Sequence, residues 1–390
     1  MTEKLSSFAA RLRESIASGF DANAFGALAL ELFALQFAHN PAYRKLCEAR
    51  RVTPQTVEHW TRIPAVPTAA FKELELTSLA PADRTAVFHS SGTTEQKPSR
   101  HFHNAESLAL YEASLWAWFA QNFQLSTFNF QLCVLTPPPE DAPNSSLVHM
   151  FETIRQKSNA PKNIFVGKIS TDGAWALDFE AIRLMLVNPP SAFRHPPLIL
   201  GTAFSFVHLL DFLAEKNLRL ALPPGSRVLE TGGYKNRSRS LPKSELHALI
   251  TEFLGVPREN IICEYGMSEL SSQAYNGVRP SSGAAMFDMQ AASSFQGCPG
   301  SSPLLRPRRA HSGANTFRFP PWARAQIISP ETGREVADGE TGLIRVFDLA
   351  NVFSVAAIQT EDLAVRRGDG FELLGRAQLA EPRGCSLMTA

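Results

Sequence analysis

Between residues 131 and 264 short apolar runs alternate with longer amphipathic stretches, and this alternation constrains the fold more than any other feature of the chain. QLCVL (131–135), PLILG (197–201), SRVLE (226–230) and NIICE (260–264) have the length and the apolar, β-branched content of strands. FVHLLDFLAEKN (206–217) and LPKSELHALITEFLG (241–255) read as helices between them, and ESLALYEASLWAWFAQNF (106–123) reads as a helix before the first strand. The 241–255 stretch has Pro242 near its start and Gly255 just past its end, where a missing N–H and a left-handed backbone are best tolerated. Strands alternating with helices predict an α/β fold built on a sizeable sheet.

The flanks have a different texture. Residues 1–85 read as helices; ANAFGALALELFALQFAHN (22–40) is apolar over a broad face, ends at Asn40-Pro41, and is expected to pack on the body. After Phe317 the pattern is β-only, with ARAQIIS, TGLIRVFDL and a hairpin in DLAVRRGDGFELLG turning at Gly368-Asp369-Gly370. The predicted organisation is a helical segment over 1–85, an α/β core over 86–316, a β-rich subdomain over 317–376 and a mobile tail over 377–390. Inside the core, residues 292–316 are rich in Ser, Pro, Gly and Arg without periodicity, so they read as a solvated loop. Arg306, Arg308, Arg309 and Cys298 of that loop are read as incidental to chemistry. No internal repeat is visible.

Composition removes several function classes. A chain of 390 residues can bury a large core, and a net charge of +1 offers no basic surface for nucleic acid or an acidic membrane. The cysteines, Cys47, Cys133, Cys263, Cys298 and Cys385, are odd in number and scattered, with no CxxC pair. That spacing argues against both a disulfide framework and a zinc site, and for a reducing, cytoplasmic compartment. Cys47, Cys133 and Cys263 sit in apolar surroundings and read as core. MTEKLSSFAARLRES carries Glu3, Arg11, Arg13 and Glu14, which suits an amphipathic helix and not a signal peptide. There is no run of eighteen apolar residues, so no membrane span is expected.

Three stretches can carry chemistry. FHSSGTTEQKPSRH (88–101) places Ser90, Ser91, Gly92, Thr93 and Thr94 after a strand-like run, where backbone N–H groups and hydroxyls can face phosphate oxygens. Lys97 and Arg100 would add charge, and the GK[ST] ending of a Walker motif is absent. CEYGMSEL (263–270) runs from a strand into Tyr265-Gly266, then Ser268 and Glu269; a carboxylate at such a turn suits a hard cation. In TEDLAVRRGDGFELLGR (360–376), Asp362 can accept from both hydroxyls of a ribose and Arg376 can pair with phosphate. Taken singly, a polar turn, a solvated glutamate and a charged surface hairpin explain these stretches as well.

In this order and spacing the three stretches resemble the adenylate-forming superfamily of acyl-CoA synthetases, adenylation domains and luciferases, from about residue 85 onward. Within it, SSLVHM (145–150), GTAF (201–204), ETGGYK (230–235), FPPW (319–322), DLANVFSVAAIQTEDL (348–363) and RGCSL (383–387) resemble the acyl-protein synthetases of bacterial fatty-acid reductase systems. The resemblance implies the superfamily's N-terminal α/β domain: mixed sheets with packed helices and a C-terminal β-rich subdomain. The superfamily's usual mobile C-terminal domain, which follows the GR hinge, is not expected here.

The resemblance also implies roles. Ser90, Ser91, Gly92, Thr93 and Thr94 would hold the phosphates of ATP. Gly232 and Gly233 would approach the adenine, Tyr265 would cover its face, and Gly266 would belong to the same nucleotide site. Ser268 would sit near the α-phosphate and the carboxylate, and Glu269 would bind Mg²⁺. Asp362 would hold the ribose, with Arg376 near ribose and phosphate. Cys385 aligns with the cysteine that accepts the acyl group. The implied reaction activates a fatty acid, or a related carboxylic acid, with ATP to acyl-AMP. The acyl group then passes to Cys385 and on to a partner acyl reductase. Cys385 lies nine residues past Arg376, a reach of about 30 Å when extended, and the neighbouring Arg383 favours its thiolate. Glu95 stands where the superfamily has glycine and opposes a polyphosphate unless Lys97 or Arg100 offsets it. His101 and His149 are secondary candidates for steadying phosphate or carboxylate. Two other readings stay open: an acyl- or aryl-CoA ligase resembling phenylacetate-CoA ligase, and a non-catalytic adenylate-binding scaffold subunit.

Overall fold

Three helices open the chain: α1 (Glu3–Ser18), α2 (Phe25–His39) and α3 (Pro41–Ala49). Asn40-Pro41 does end α2, but it also starts α3. The Asn40 side chain accepts the Tyr43 N–H at 3.1 Å, and Pro41 occupies a first-turn position where an N–H would go unused. The computed structural model describes residues 3–90, 97–125, 130–160, 164–171, 173–187, 195–234, 238–277 and 315–377. After a short strand β1 (Val66–Pro67) and a single turn α4 (Ala70–Glu73), a hairpin of β2 (Ala86–His89) and β3 (Arg100–His103) leads to α5 (Ala105–Phe123). A reciprocal capping box between Asn104 and Ser107 starts α5, on which α1 packs through its buried Leu5, Phe8 and Leu12 face.

The predicted alternation follows: β4 (Gln131–Val134), α6 (Ser146–Lys157), the ribbon β5 (Gly167–Ile169) and β6 (Trp175–Leu177), α7 (Phe179–Ile182), β7 (Pro197–Thr202), α8 (Ala203–Glu215), β8 (Arg227–Thr231), α9 (Lys243–Leu254) and β9 (Ile261–Tyr265). Strands β4, β7, β8 and β9 run parallel in that spatial order. Every residue of β7 is buried, which explains its unbroken apolar sequence. Thr202 ends β7 and caps α8, accepting the Ser205 N–H at 3.2 Å, while Gly255 closes α9 at φ 70°. Leu198 and Leu200 face a core shared with α1–α3 and α5, whereas Ile199 faces a second core under α8 and α9.

The β-only half continues the same sheet. β10 (Ala274–Asn276), β11 (Phe317–Arg318), β12 (Ala323–Ile328), β13 (Thr341–Asp348), β14 (Ala357–Arg367) and β15 (Gly370–Arg376) extend it antiparallel from β9, in the order β12-β13-β14-β15-β11-β10-β9-β8-β7-β4, with β1 parallel to β14. This is a mixed α/β sheet, as the alternation predicts. The N-terminal helices are fastened to the 348–356 turn. Buried Gln36 of α2 donates to the Asn351 carbonyl at 2.8 Å and accepts the Ala356 N–H at 2.9 Å, and Asn40 donates to the Ser354 carbonyl at 3.2 Å. Among the described residues no helix is long and apolar enough to cross a membrane. The segment 278–314, which holds most of the predicted solvated loop with Cys298, Arg306, Arg308 and Arg309, lies outside the described residues.

Candidate active site

Where the parallel strands end and the antiparallel hairpin begins, β8, β9 and β14 open onto a cavity of about 800 Å³. Its position follows the sheet's own logic, because ligands bind at the carboxyl ends of parallel strands. Thr231 and Gly232 approach from β8, Glu264, Gly266, Ser268 and Glu269 from β9 and its following turn, and Asp362 and Arg376 from the β14–β15 pair. Ser90, from the end of β2, lies on the same wall.

Each of these groups is held by its neighbours. Glu269 is 5% exposed, accepts the Ser268 hydroxyl at 3.1 Å, and receives the Asn351 amide on its backbone carbonyl at 2.8 Å. The next residues are fixed by Asp348, a fully buried carboxyl that accepts the N–H groups of Ser271 and Ser272 at 2.9 and 2.8 Å and the Ser272 hydroxyl at 2.7 Å. Burial pushes Asp348 up to about 6 against the pull of these donors. Ser90 Oγ accepts the Ser99 N–H at 2.9 Å, and the Ser99 and Ser268 hydroxyls lie 3.4 Å apart. The β2–β3 hairpin is thereby tied to the turn after β9.

Asp362 and Arg376 are direct cross-strand partners, with Arg376 Nε 3.8 Å from the Asp362 carboxylate. Tyr265 donates its hydroxyl to Asp362 at 2.8 Å. Its ring packs edge-on against Phe317, Phe319 and Phe371. The resemblance implies a ring lying over a ligand face; in this fold Tyr265 is buried and its hydroxyl orients the Asp362 carboxylate. Gly233 likewise follows the wall without lining it, whereas Gly232 lines it at φ 67°.

Lys97 pairs with Glu73 at 3.5 Å and Arg100 with Glu75 at 3.4 Å, so both cations are drawn to the segment around α4. The cations on the cavity wall are Lys72 and Arg376. His101 and His149 sit on regular elements. His101 lies on β3, buried, with Nδ1 2.8 Å from the Ser268 carbonyl, and burial holds its ring down at about 4, hence neutral. His149 lies on α6 with Nε2 3.2 Å from Glu112. Ser91, Gly92, Thr93, Thr94, Glu95 and Cys385 lie outside the described residues.

Sequence reasoning missed Glu264 altogether. Its carboxyl lines the cavity, accepts the Thr231 hydroxyl, and is pushed up to about 7 by burial. It also bears on the glycine two residues further on: a Cβ on residue 266 would meet the end of the Glu264 carboxylate, which would have to shift from its buried bond to Thr231. Gly266→Ala is expected to cost about 1–3 kcal/mol by overpacking, measured by denaturant unfolding. The same substitution in a Glu264→Ala background should cost close to nothing, and an unchanged cost there would refute the collision.

The cavity wall also carries the apolar or aromatic side chains Tyr111, Leu147, Met150, Trp175 and Phe204. One cavity thus combines oxygen donors, cations and apolar side chains, an arrangement able to bind a charged nucleotide beside a lipophilic acid.

Residues 19–278 match the family described as acyl-protein synthetase, LuxE. The long-chain-fatty-acid–luciferin-component ligase of Aliivibrio fischeri is 23% identical over 376 residues, covering 93% of this chain and 87% of the relative. The ligase of the same description from Vibrio harveyi is 21% identical over 362 residues, covering 90% and 83%. In fold, the chain is similar to 2-hydroxyisobutyryl-CoA ligase, solved in the postadenylation state in complex with 2-HIB-AMP. The TM-score is 0.61 at 12% identity, covering 91% of this chain and 67% of the other. The same ligase in an open conformation, in complex with 2-HIB-AMP and CoA, gives a TM-score of 0.57 at 13% identity, covering 90% of this chain and 76% of the other, whereas this chain spans about half (49%) of an ATP-bound RpMatB-BxBclM chimera.

Proposed function

Because this chain belongs to the acyl-protein synthetase family, we propose that it activates a long-chain fatty acid with ATP to acyl-AMP, transfers the acyl group to Cys385, and passes it to an acyl reductase partner. The observation that carries the reading is the meeting of Ser268, Glu269, Asp362 and Arg376 on one cavity that also has Leu147, Met150, Trp175 and Phe204 on its wall.

In this reading Asp362 accepts from the ribose hydroxyls, held for that purpose by Tyr265. Gly232 lets the nucleotide approach the backbone, and Lys72 and Arg376 face the polyphosphate. Ser90, with Ser91, Gly92, Thr93 and Thr94 of the same loop, donates to phosphate oxygens. The apolar wall holds the acyl chain and keeps water from the reacting carboxylate. Ser268 positions that carboxylate against the α-phosphorus, where attack expels pyrophosphate. The acyl-AMP is a mixed anhydride, and thiolate attack by Cys385 releases AMP and leaves a thioester. A carboxylate and a hydroxyl are hard oxygen donors, so Glu269 and Ser268 fit Mg²⁺, which when bound neutralises charge developing on the phosphates.

The test is ATP–pyrophosphate exchange stimulated by fatty acid, with acyl label on denatured protein measured beside it. Exchange and label without CoA support the proposal. Product formation that requires CoA favours a CoA ligase, and absence of exchange favours a non-catalytic scaffold.

Asp362→Ala is expected to weaken ATP binding about ten- to a hundredfold, since each hydrogen bond to a charged group is worth roughly 1.5–3 kcal/mol. Isothermal titration with ATP measures this directly. An unchanged affinity would remove Asp362 from the nucleotide site.

A further inference from the structure

On the face of β8 and β9 turned away from the cavity, three side chains from distant parts of the sequence converge. Glu230 and Cys263 are register partners on the two parallel strands, and His247 reaches them from α9. Cys263 Sγ lies 3.1 Å from Glu230 Oε2, His247 Nε2 lies 3.4 Å from the same oxygen, and Sγ and Nε2 are 3.6 Å apart. All three are buried, at 5%, 0% and 1% exposure for Glu230, His247 and Cys263.

We propose that Glu230, His247 and Cys263 form a buried three-ligand site for Zn²⁺. A tetrahedral zinc with bonds of about 2.0 Å to oxygen, ~2.0–2.1 Å to nitrogen and ~2.3 Å to sulfur separates its ligand atoms by roughly 3.3–3.6 Å. The observed triangle has nearly that size, so no side chain need change rotamer. The charges also balance. A carboxylate, a thiolate and a neutral imidazole around a dication sum to zero, and binding releases only the thiol proton, with no change of oxidation state. Lys243, exposed one turn before His247, lies beside the Cys263 thiol, so its ammonium opposes a dication and swings into solvent on binding. His247 Nδ1 has no partner among the described residues. A missing partner of that kind costs about ten- to a hundredfold in affinity, so a dissociation constant weaker than that of four-ligand structural sites is expected.

The site is separate from the proposed adenylation chemistry but one residue from it. Thr231 and Glu264, the successors of Glu230 and Cys263, line the cavity on the other face. Zinc would therefore lock α9 to the two strands that carry the nucleotide end of the site.

The test uses the full chain with Cys298 and Cys385 replaced by serine, stripped by chelator and titrated with Co²⁺. One equivalent should bind, giving a thiolate-to-cobalt charge-transfer band and the visible bands of a tetrahedral ion, both erased by Zn²⁺. Cys263→Ser should lose the charge-transfer band, and Glu230→Gln, which keeps the side-chain volume, should weaken binding at least tenfold. Zn²⁺ should raise the melting temperature of the parent and leave that of Glu230→Gln unmoved. Absence of the charge-transfer band in the parent, or equal Co²⁺ binding and an equal Zn²⁺ shift in Glu230→Gln, overturns the site.

Discussion

Glu269→Gln is expected to reduce fatty-acid-dependent ATP–pyrophosphate exchange at least a hundredfold while leaving the melting temperature unchanged. Glutamine matches glutamate in volume and keeps an oxygen to accept the Ser268 hydroxyl, and the contact from Asn351 is to backbone. What disappears is the charge. A group that stabilises transition-state charge is worth about 10²–10³ in rate. Exchange near the wild-type level would mean that Glu269 holds no metal. A fall in melting temperature would mean that the carboxylate serves the fold.

The second large effect separates the two half-reactions. Cys385→Ser is expected to retain exchange and to lose all hydroxylamine-sensitive acyl label, because the adenylating groups are untouched. A serine hydroxyl is also far less nucleophilic near neutral pH than a thiol with even a few per cent thiolate. The described cysteines offer no substitute. Burial pushes Cys47 up to about 11 and Cys133 and Cys263 up to about 12, so none supplies a thiolate at neutral pH. Cys298→Ser should change neither signal. A full thioester on Cys385→Ser places the acceptor elsewhere, and loss of exchange with the label assigns the tail to completing the adenylation site.

Much of the fold was legible because its strands are buried on both faces. PLILG and NIICE could be read from five residues each, and Gly255 and the Gly368-Asp369-Gly370 turn are local signals with local causes. Ser268, Glu269, Asp362 and Arg376 were legible as motifs. The ion pairs of Lys97 and Arg100 were not legible, since their partners Glu73 and Glu75 sit some 24 or 25 residues earlier in an unremarked segment. Glu264 was missed because nothing within NIICE marks that position as facing a cavity; the sheet decides it. The Glu230, His247 and Cys263 cluster was hidden the same way. Cysteine spacing argued against zinc, but parallel strands set residues 33 positions apart side by side.

Gln36 has a consequence for the order in which the protein comes into being. Its amide waits for a carbonyl 315 residues further along the chain. At a synthesis rate of about 5–20 residues per second, α2 emerges from the ribosome roughly 15–60 s before its partner exists. Through that interval the apolar side of α2, with Phe25, Leu32 and Phe33, has no β13–β14 connection to lie against. The newborn helix therefore keeps its buried amide and part of its apolar face without their final partners until the 348–356 turn has been translated.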